Sequence, residues 1–182
     1  IVFTGVAGGL GDGVRVGDVV VAQTLLQHDM DASPLFPRFE VPLYGQSHFA
    51  ADAALTAMLL EAASAYCAGA EGQLGAEKVA RFGLQQVRAH HGLLVAGDRF
   101  VATAAESHAL RNALPGVLAV DMESAAVAQV CFDYHIPFAA VRTISDRADD
   151  AAHVDFPLFL AQLAAPYAQG IIGRFLHLLS KK

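Results

Sequence analysis

Two short blocks of this sequence put acids at the carboxyl ends of apolar runs: Val120-Asp121-Met122-Glu123 and Thr143-Ile144-Ser145-Asp146. Each has an ordinary explanation. Asp121 could cap the helix that follows and Glu123 could favour its dipole. Ser145-Asp146 could be a cap or an Asx turn. Each also has a chemical explanation. A carboxylate at Asp121 or Glu123 can accept two hydrogen bonds from a vicinal diol such as that of a ribose. A carboxyl group at Asp146, partly desolvated at a strand end, can hold a proton near neutral pH and deliver it as a general acid, with Ser145 orienting it. Residue types alone leave both explanations open at each block.

Other chemistries find less support. Thr4-Gly5-Val6-Ala7-Gly8-Gly9 is glycine-rich, but the next segment, VRVGDVVVA, is strand-like. The dinucleotide fingerprint opens a helix, so the glycines predict a loop that turns tightly or forms a wall against a flat base or a sugar. Eight histidines raise the question of a metal. His90 and His91 are adjacent and point apart in a regular element, and His28-Asp29-Met30-Asp31 is the one dense group of ligand types. No HExxH or paired-cysteine pattern exists, and no G-x-S-x-G elbow, so neither a metal, another cofactor nor a serine hydrolase is expected.

The elements that must position these residues follow from hydropathy. Of the 182 residues, 54% are hydrophobic and 16% charged, which suits a buried sheet under apolar helices and argues against disorder. The net charge of −6 is spread without a basic stripe, so nucleic acid is not an expected partner. No apolar run reaches a membrane span. Cys67 and Cys131 have no CxxC partner and are expected as buried thiols in a reducing compartment, the cytoplasm. Strands are predicted at Ile1 to Thr4, Val14 to Ala22 with an extension over Thr24 to Asp29, Gly92 to Ala96, Val117 to Asp121 and Phe138 to Ile144. Helices are predicted over Ser47 to Ala68, from the Thr103-x-x-Glu106 capping box onward, over Met122 to Tyr134, and C-terminally. The last has Asp155 as its cap and Phe159, Leu163, Tyr167, Ile171 and Phe175 on one face, with Pro166 kinking it or marking a first turn. Lys78 to Val87 has both characters. Met30 to Gln46, with Pro34, Pro37 and Pro42 among aromatics, is an irregular loop that should cover a site or a partner. The fold class is α/β, a central mostly parallel or mixed sheet flanked by helices, in one domain over 1–182. The start Ile1-Val2-Phe3-Thr4, without Met or polar lead-in, reads as mid-strand, and an N-terminal segment is expected to precede it. In such sheets ligands bind at the carboxyl ends of strands, where Thr4 to Gly9, Asp121 to Glu123 and Ser145-Asp146 all fall.

Together, TGVAGGL, GDRFV, AVDMESAAVAQV and VRTISDRADDAAHVDF resemble the purine nucleoside phosphorylase and nucleosidase superfamily, and most of all its bacterial 5′-methylthioadenosine/S-adenosylhomocysteine nucleosidases. The blocks keep the family order from residue 1 to the C-terminus. The equal separations of Phe100 from Glu123 and of Glu123 from Asp146 also look like that family, whereas Ser47 to His91 is not diagnostic. The resemblance implies a nucleoside phosphorylase-like fold and hydrolysis of the N-glycosidic bond of an adenine nucleoside. It implies that Asp146 protonates purine N7 with support from Ser145. Glu123 then holds the ribose hydroxyls, Met122 lies against the sugar, and Asp121 stands where a glutamate is more usual. Phe100 stacks on the purine, Val101 meets the base edge through its backbone, Phe156 contacts the 5′ substituent, and Ala7 and Gly8 line the pocket. The water-activating glutamate of these hydrolases lies in their N-terminal segment. Val6 replaces a small polar residue, which favours water over phosphate. The resemblance also implies a homodimer in which the Met30 to Gln46 region reaches the neighbouring site. Two other readings stay open. One is a phosphorylase, which would want an arginine on a strand rim, where Arg142 is one register position off. The other is a non-catalytic nucleoside-binding module.

Overall fold

A computed structural model describes residues 1–84, 86–149 and 152–181, except for the side chains of residues 153–155. Six strands form one mixed sheet: β1 (Val2–Gly9), β2 (Val19–Gln27), β3 (His48–Ala50), β4 (Ala89–Ala96), β5 (Val117–Asp121) and β6 (Ala139–Asp146). Their order is β3-β2-β4-β5-β1-β6, and β6 also pairs with β2, so five of the strands close into a ring with β3 on its outside. Three pairings are parallel (β1–β6, β2–β4, β4–β5) and three antiparallel (β1–β5, β2–β3, β2–β6), the mixed alternative of the expected sheet. β6 is paired on both edges, and all eight of its residues are buried. That accounts for the near-continuous apolar run leading to Thr143.

Helices cover the ring. α1 (Ala53–Ala68) and α7 (Ala164–Leu179) pack together over Val19, Val21 and Val141. α5 (Ser124–Asp133) covers Ala119 and Ala140 from another side, and α4 (Ala104–Ala113) closes a third cluster around Val95 and Val120. Short α2 (Ala70–Leu74) and α3 (Ala76–Phe82) follow α1, and α6 (Ala152–Gln162) precedes α7. The Thr103 box forms as expected. Its hydroxyl accepts from the Glu106 N–H at 3.2 Å and donates to the Glu106 carboxylate at 2.9 Å.

Several boundaries differ from the sequence reading, each for a local reason. The glycine run Gly5 to Gly9 is strand, not loop. It pairs with β6 as far as Gly8 and with β5 at Gly8 and Gly9, and its glycines admit side chains from β6 rather than turning the chain. β2 starts only at Val19, because Gly17 adopts φ 86° and Asp18 closes the preceding turn by accepting the Arg15 N–H. Ser47 to Ala68 divides. His48–Ala50 adds to β2, and Asp52 caps α1 by accepting the Leu55 N–H at 2.8 Å. The ambiguous Lys78 to Val87, of which residue 85 lies outside the described residues, contributes to α3, which ends at Gly83 in the left-handed region. The C-terminal helix is two helices. Pro166 falls in the first turn of α7, Pro157 lies inside α6, and the stripe Phe159, Leu163, Tyr167, Ile171 and Phe175 is buried throughout. The expected cap, Asp155, has its side chain outside the described residues.

Cys67 and Cys131 are buried free thiols. Burial pushes Cys67 up to about 12 and, beside it, the Tyr66 phenol up to about 12. The native protein therefore keeps protons that the unfolded chain loses at alkaline pH, so stability falls as pH rises from about 9 toward about 12. Urea titrations across that window should show a falling midpoint, and native Cys67 should resist a thiol reagent that labels it in denaturant. Rapid native labelling would contradict this.

Candidate active site

Three strand ends meet at one cleft. β1 brings Ala7 and Gly8, the end of β5 brings Val120 and Asp121 followed by Met122 and Glu123, and β6 brings Ser145 and Asp146. The segment between β4 and α4 adds Arg99, Phe100 and Val101, and α6 adds Phe156. The cleft has a volume of about 140 Å³. All of the residues singled out from the sequence lie along it: Asp146, Glu123, Ser145, Phe100, Val101, Met122, Asp121, Ala7, Gly8 and Phe156.

The closed end is built on Asp146, only 1% exposed. The Ser145 hydroxyl lies 2.8 Å from its Oδ2 and 3.3 Å from the Ala7 carbonyl oxygen, while the Ala148 N–H donates to Oδ1 at 2.8 Å. The hydroxyl can donate to the carboxylate, or accept from the carboxyl and donate to Ala7. Ala148 has φ 49°, and Ser107 of α4 clamps it by donating to its carbonyl oxygen. A register shift in the β1–β6 ladder aligns Ala7 with Ile144 and Gly8 with Asp146, skipping Ser145. Irregularities of this kind re-aim side chains beside functional sites. Gly8 is required by this geometry, since a Cβ there would stand 3.0 Å from Asp146 Oδ1 and 2.9 Å from the Ala148 Cβ.

Of the two roles open to Asp121 from the sequence, the structure shows the helix cap. Asp121 lines the cleft, but both carboxylate oxygens are taken by protein donors. Oδ1 accepts the Ser124 N–H at 3.1 Å and its hydroxyl at 2.8 Å, and Oδ2 accepts Arg142 Nε at 2.5 Å. Asp121 thus caps α5 from three residues upstream and neutralises a buried arginine. Arg142 is 2% exposed, with its guanidinium 4.1 Å from the centroid of the Phe3 ring. A Cβ at Gly5 would come within 2.8 Å of its Nη1, so Gly5 makes room for it. Arg142 is therefore no rim arginine for phosphate. Met122 and Glu123, expected within the helix, precede it. Glu123 occupies the N-cap position without a side-chain cap bond and is exposed to the cleft.

The opposite wall is aromatic. Phe100 and Phe156 meet edge to face with centroids 5.7 Å apart, and Val101 is buried behind them. Arg99, absent from the sequence reading, lines the cleft beside Phe100. Its place in the GDRFV block was the available signal. The partner of Arg142 was also missed, because no spacing rule links a strand interior to a strand end 21 residues away. Among the described residues no three His, Cys, Asp or Glu side chains form a metal-binding group, and no helix is long and apolar enough to cross a membrane. In the expected His-Asp group, Asp29 accepts the Asp98 N–H at 2.7 Å, and burial pulls His28 below the usual histidine range. His90 bonds to Asp18 at 2.8 Å.

The sequence profile of the phosphorylase superfamily matches residues 1–177. The chain belongs to the phosphorylase superfamily. Within that superfamily it is 32% identical to the 5′-methylthioadenosine/S-adenosylhomocysteine nucleosidase of Staphylococcus aureus over 175 residues, 94% of this chain and 67% of the relative. It is 32% identical to the nucleosidase of the same name from Hydrogenovibrio crunogenus over 181 residues, 99% of this chain and 70% of that one. Among solved structures, the Neisseria meningitidis nucleosidase in complex with methylthio-immucillin-A superposes with a TM-score of 0.76 at 33% identity, covering 96% of this chain and 68% of that one. The chain thus spans about two thirds of the length of these superfamily relatives.

The Arg142–Asp121 pair makes a sharp test. Asp121→Asn leaves a buried guanidinium uncompensated, a change that costs about 3–5 kcal/mol. Urea denaturation should register a loss of that order. A loss near zero would contradict the assignment of Asp121 as a counterion.

Proposed function

We propose that this protein hydrolyses the N-glycosidic bond of 5′-methylthioadenosine and S-adenosylhomocysteine, releasing adenine. The observation that carries this reading is a buried carboxyl, Asp146, bonded by Ser145, at the closed end of a cleft whose open side bears Glu123 and an aromatic wall. The reaction needs a leaving base that does not depart as an anion and a sugar that can carry positive charge. In this reading Asp146 donates its proton to purine N7 as the C1′–N9 bond breaks and its electron pair moves onto the base. Glu123 accepts hydrogen bonds from the ribose hydroxyls, and its negative charge favours the oxocarbenium-like sugar. Water then adds to C1′ and sheds a proton to solvent, from which Asp146 regains its own, giving the free thiosugar and neutral adenine. Phe100 stacks on the purine, Val101 meets the base edge, Met122 and Phe156 border the sugar and its 5′ group, and Ala7 and Gly8 form the floor. Asp121 acts on the substrate through the placement of Glu123.

Water rather than phosphate is favoured by the lining itself. Val6 offers no polar side chain, Arg142 is engaged by Asp121, and Arg99 stands exposed at the mouth, tied to Glu106. We place the protein in the cytoplasm, and the two buried free thiols support that. We also infer a homodimer formed through residues 30–46. Leu35 and Leu43 there are 84% and 91% exposed, and Phe132 and Tyr134 on and beside α5 add apolar surface. Tyr44 ties the loop to α5 by donating to Asp133 at 2.7 Å. Light scattering should then return the mass of two chains, and a monomer at working concentration would count against the dimer.

Asp146→Asn removes the proton but keeps shape and polarity. Its kcat for adenine release should fall on the order of 100-fold or more, the usual worth of a general acid, with KM little changed. Glu123→Gln should lower kcat/KM through both sugar binding and charge. Near-normal turnover by Asp146→Asn would sink the acid role, and an unaltered Glu123→Gln would sink the sugar assignment.

A further inference from the structure

We propose that Arg99 selects nucleosides whose 5′ substituent ends in a carboxylate, so that the site favours S-adenosylhomocysteine over 5′-methylthioadenosine. This rests on the glycosidic reading above. The other charged residues lining the cleft, Asp121, Glu123 and Asp146, are acids, and Arg99 is the one cation among the described lining residues. Its side chain is 78% exposed, whereas Asp146 is 1% exposed. A nucleoside with its base at the closed end and its sugar at Glu123 leaves its 5′ substituent at the open side, where Arg99 stands.

The guanidinium is also held in place. Its Nη2 donates to Glu106 Oε1 at 2.8 Å. Glu106 is itself fixed by the Thr103 hydroxyl at 2.9 Å and the Ala102 N–H at 3.3 Å, both on Oε2. These bonds hold the Glu106 carboxyl below the usual glutamate range, so it stays charged as a tether for the arginine. A guanidinium has five N–H donors in a planar fork, and among the described residues only Glu106 accepts from this one. The remaining donors can take a carboxylate in the paired geometry that arginine favours. A thioether ending in methyl has nothing to offer them, while a homocysteine tail does. An exposed ion pair is weak, so the expected preference is modest, about three- to fivefold.

Adenine release should be measured for S-adenosylhomocysteine, for 5′-methylthioadenosine and for the analogue of S-adenosylhomocysteine that lacks its carboxyl group. R99Q should lower the kcat/KM ratio of the first to the second about three- to fivefold, the worth of an exposed pair. R99K should keep most of that ratio, and added salt should erode it in the unmodified protein. The carboxyl-free analogue, which retains its ammonium, should gain relative to 5′-methylthioadenosine when the arginine charge is removed. An unchanged ratio in R99Q, or an equal fall for the carboxyl-free analogue, overturns the proposal. If the unmodified protein releases adenine from none of the three, the glycosidic reading fails. The selectivity is then judged on equilibrium binding, where a ratio of affinities unaltered by R99Q overturns it.

Discussion

The architecture of the site depends on one buried ion pair, Arg142 Nε to Asp121 Oδ2 at 2.5 Å, with each side chain 2% exposed. Arg142 is buried, so its guanidinium needs a counterion inside the protein. The counterion stands at the end of β5. The pair therefore ties the strand that ends in Asp146 to the strand that leads to Glu123. The other oxygen of Asp121 holds the start of α5 through Ser124, which fixes the direction in which the chain leaves the sheet after Glu123. Two glycines of β1 make this packing possible. Gly5 gives way to the guanidinium and Gly8 to the Asp146 carboxyl.

From that frame follows a division of labour in the proposed cleavage. The acid is buried and bonded on both oxygens, by the buried Ser145 hydroxyl and the Ala148 N–H, which fixes its orientation. Glu123 has no internal partner among the cap bonds and is left to the sugar. The edge-to-face Phe100–Phe156 wall supplies flat apolar surface for a base, and Arg99 supplies the one opposite charge among the described lining residues. A cleft that is acidic inside, apolar on one wall and cationic at its mouth suits a nucleoside that becomes positive at its sugar as it reacts.

Much of this was legible in the sequence. The apolar runs before Asp121 and Asp146 marked strands whose ends line the cleft. The Thr103 box marked α4, and the five residues repeating every fourth position from Phe159 to Phe175 marked the C-terminal helical face. What stayed hidden depended on pairing across the sheet. Glycines from Gly5 to Gly9 look like a loop until β6 is seen beside them, because glycine in a strand serves a neighbour's bulk rather than its own conformation. The sequence offered Asp121 as a cap or a substrate ligand but not as a counterion, because its partner, Arg142, lies in another strand. The break at Leu163 between α6 and α7 was masked by a stripe that continues in phase across it.

The central claim is that the cleft cuts a nucleoside with water. Its most direct test is the identity of the sugar product formed from 5′-methylthioadenosine in excess inorganic phosphate, read by mass spectrometry alongside adenine. The account predicts free 5-methylthioribose in equal amount to adenine, at a rate indifferent to phosphate. A sugar 1-phosphate, or adenine release that requires phosphate, would contradict it.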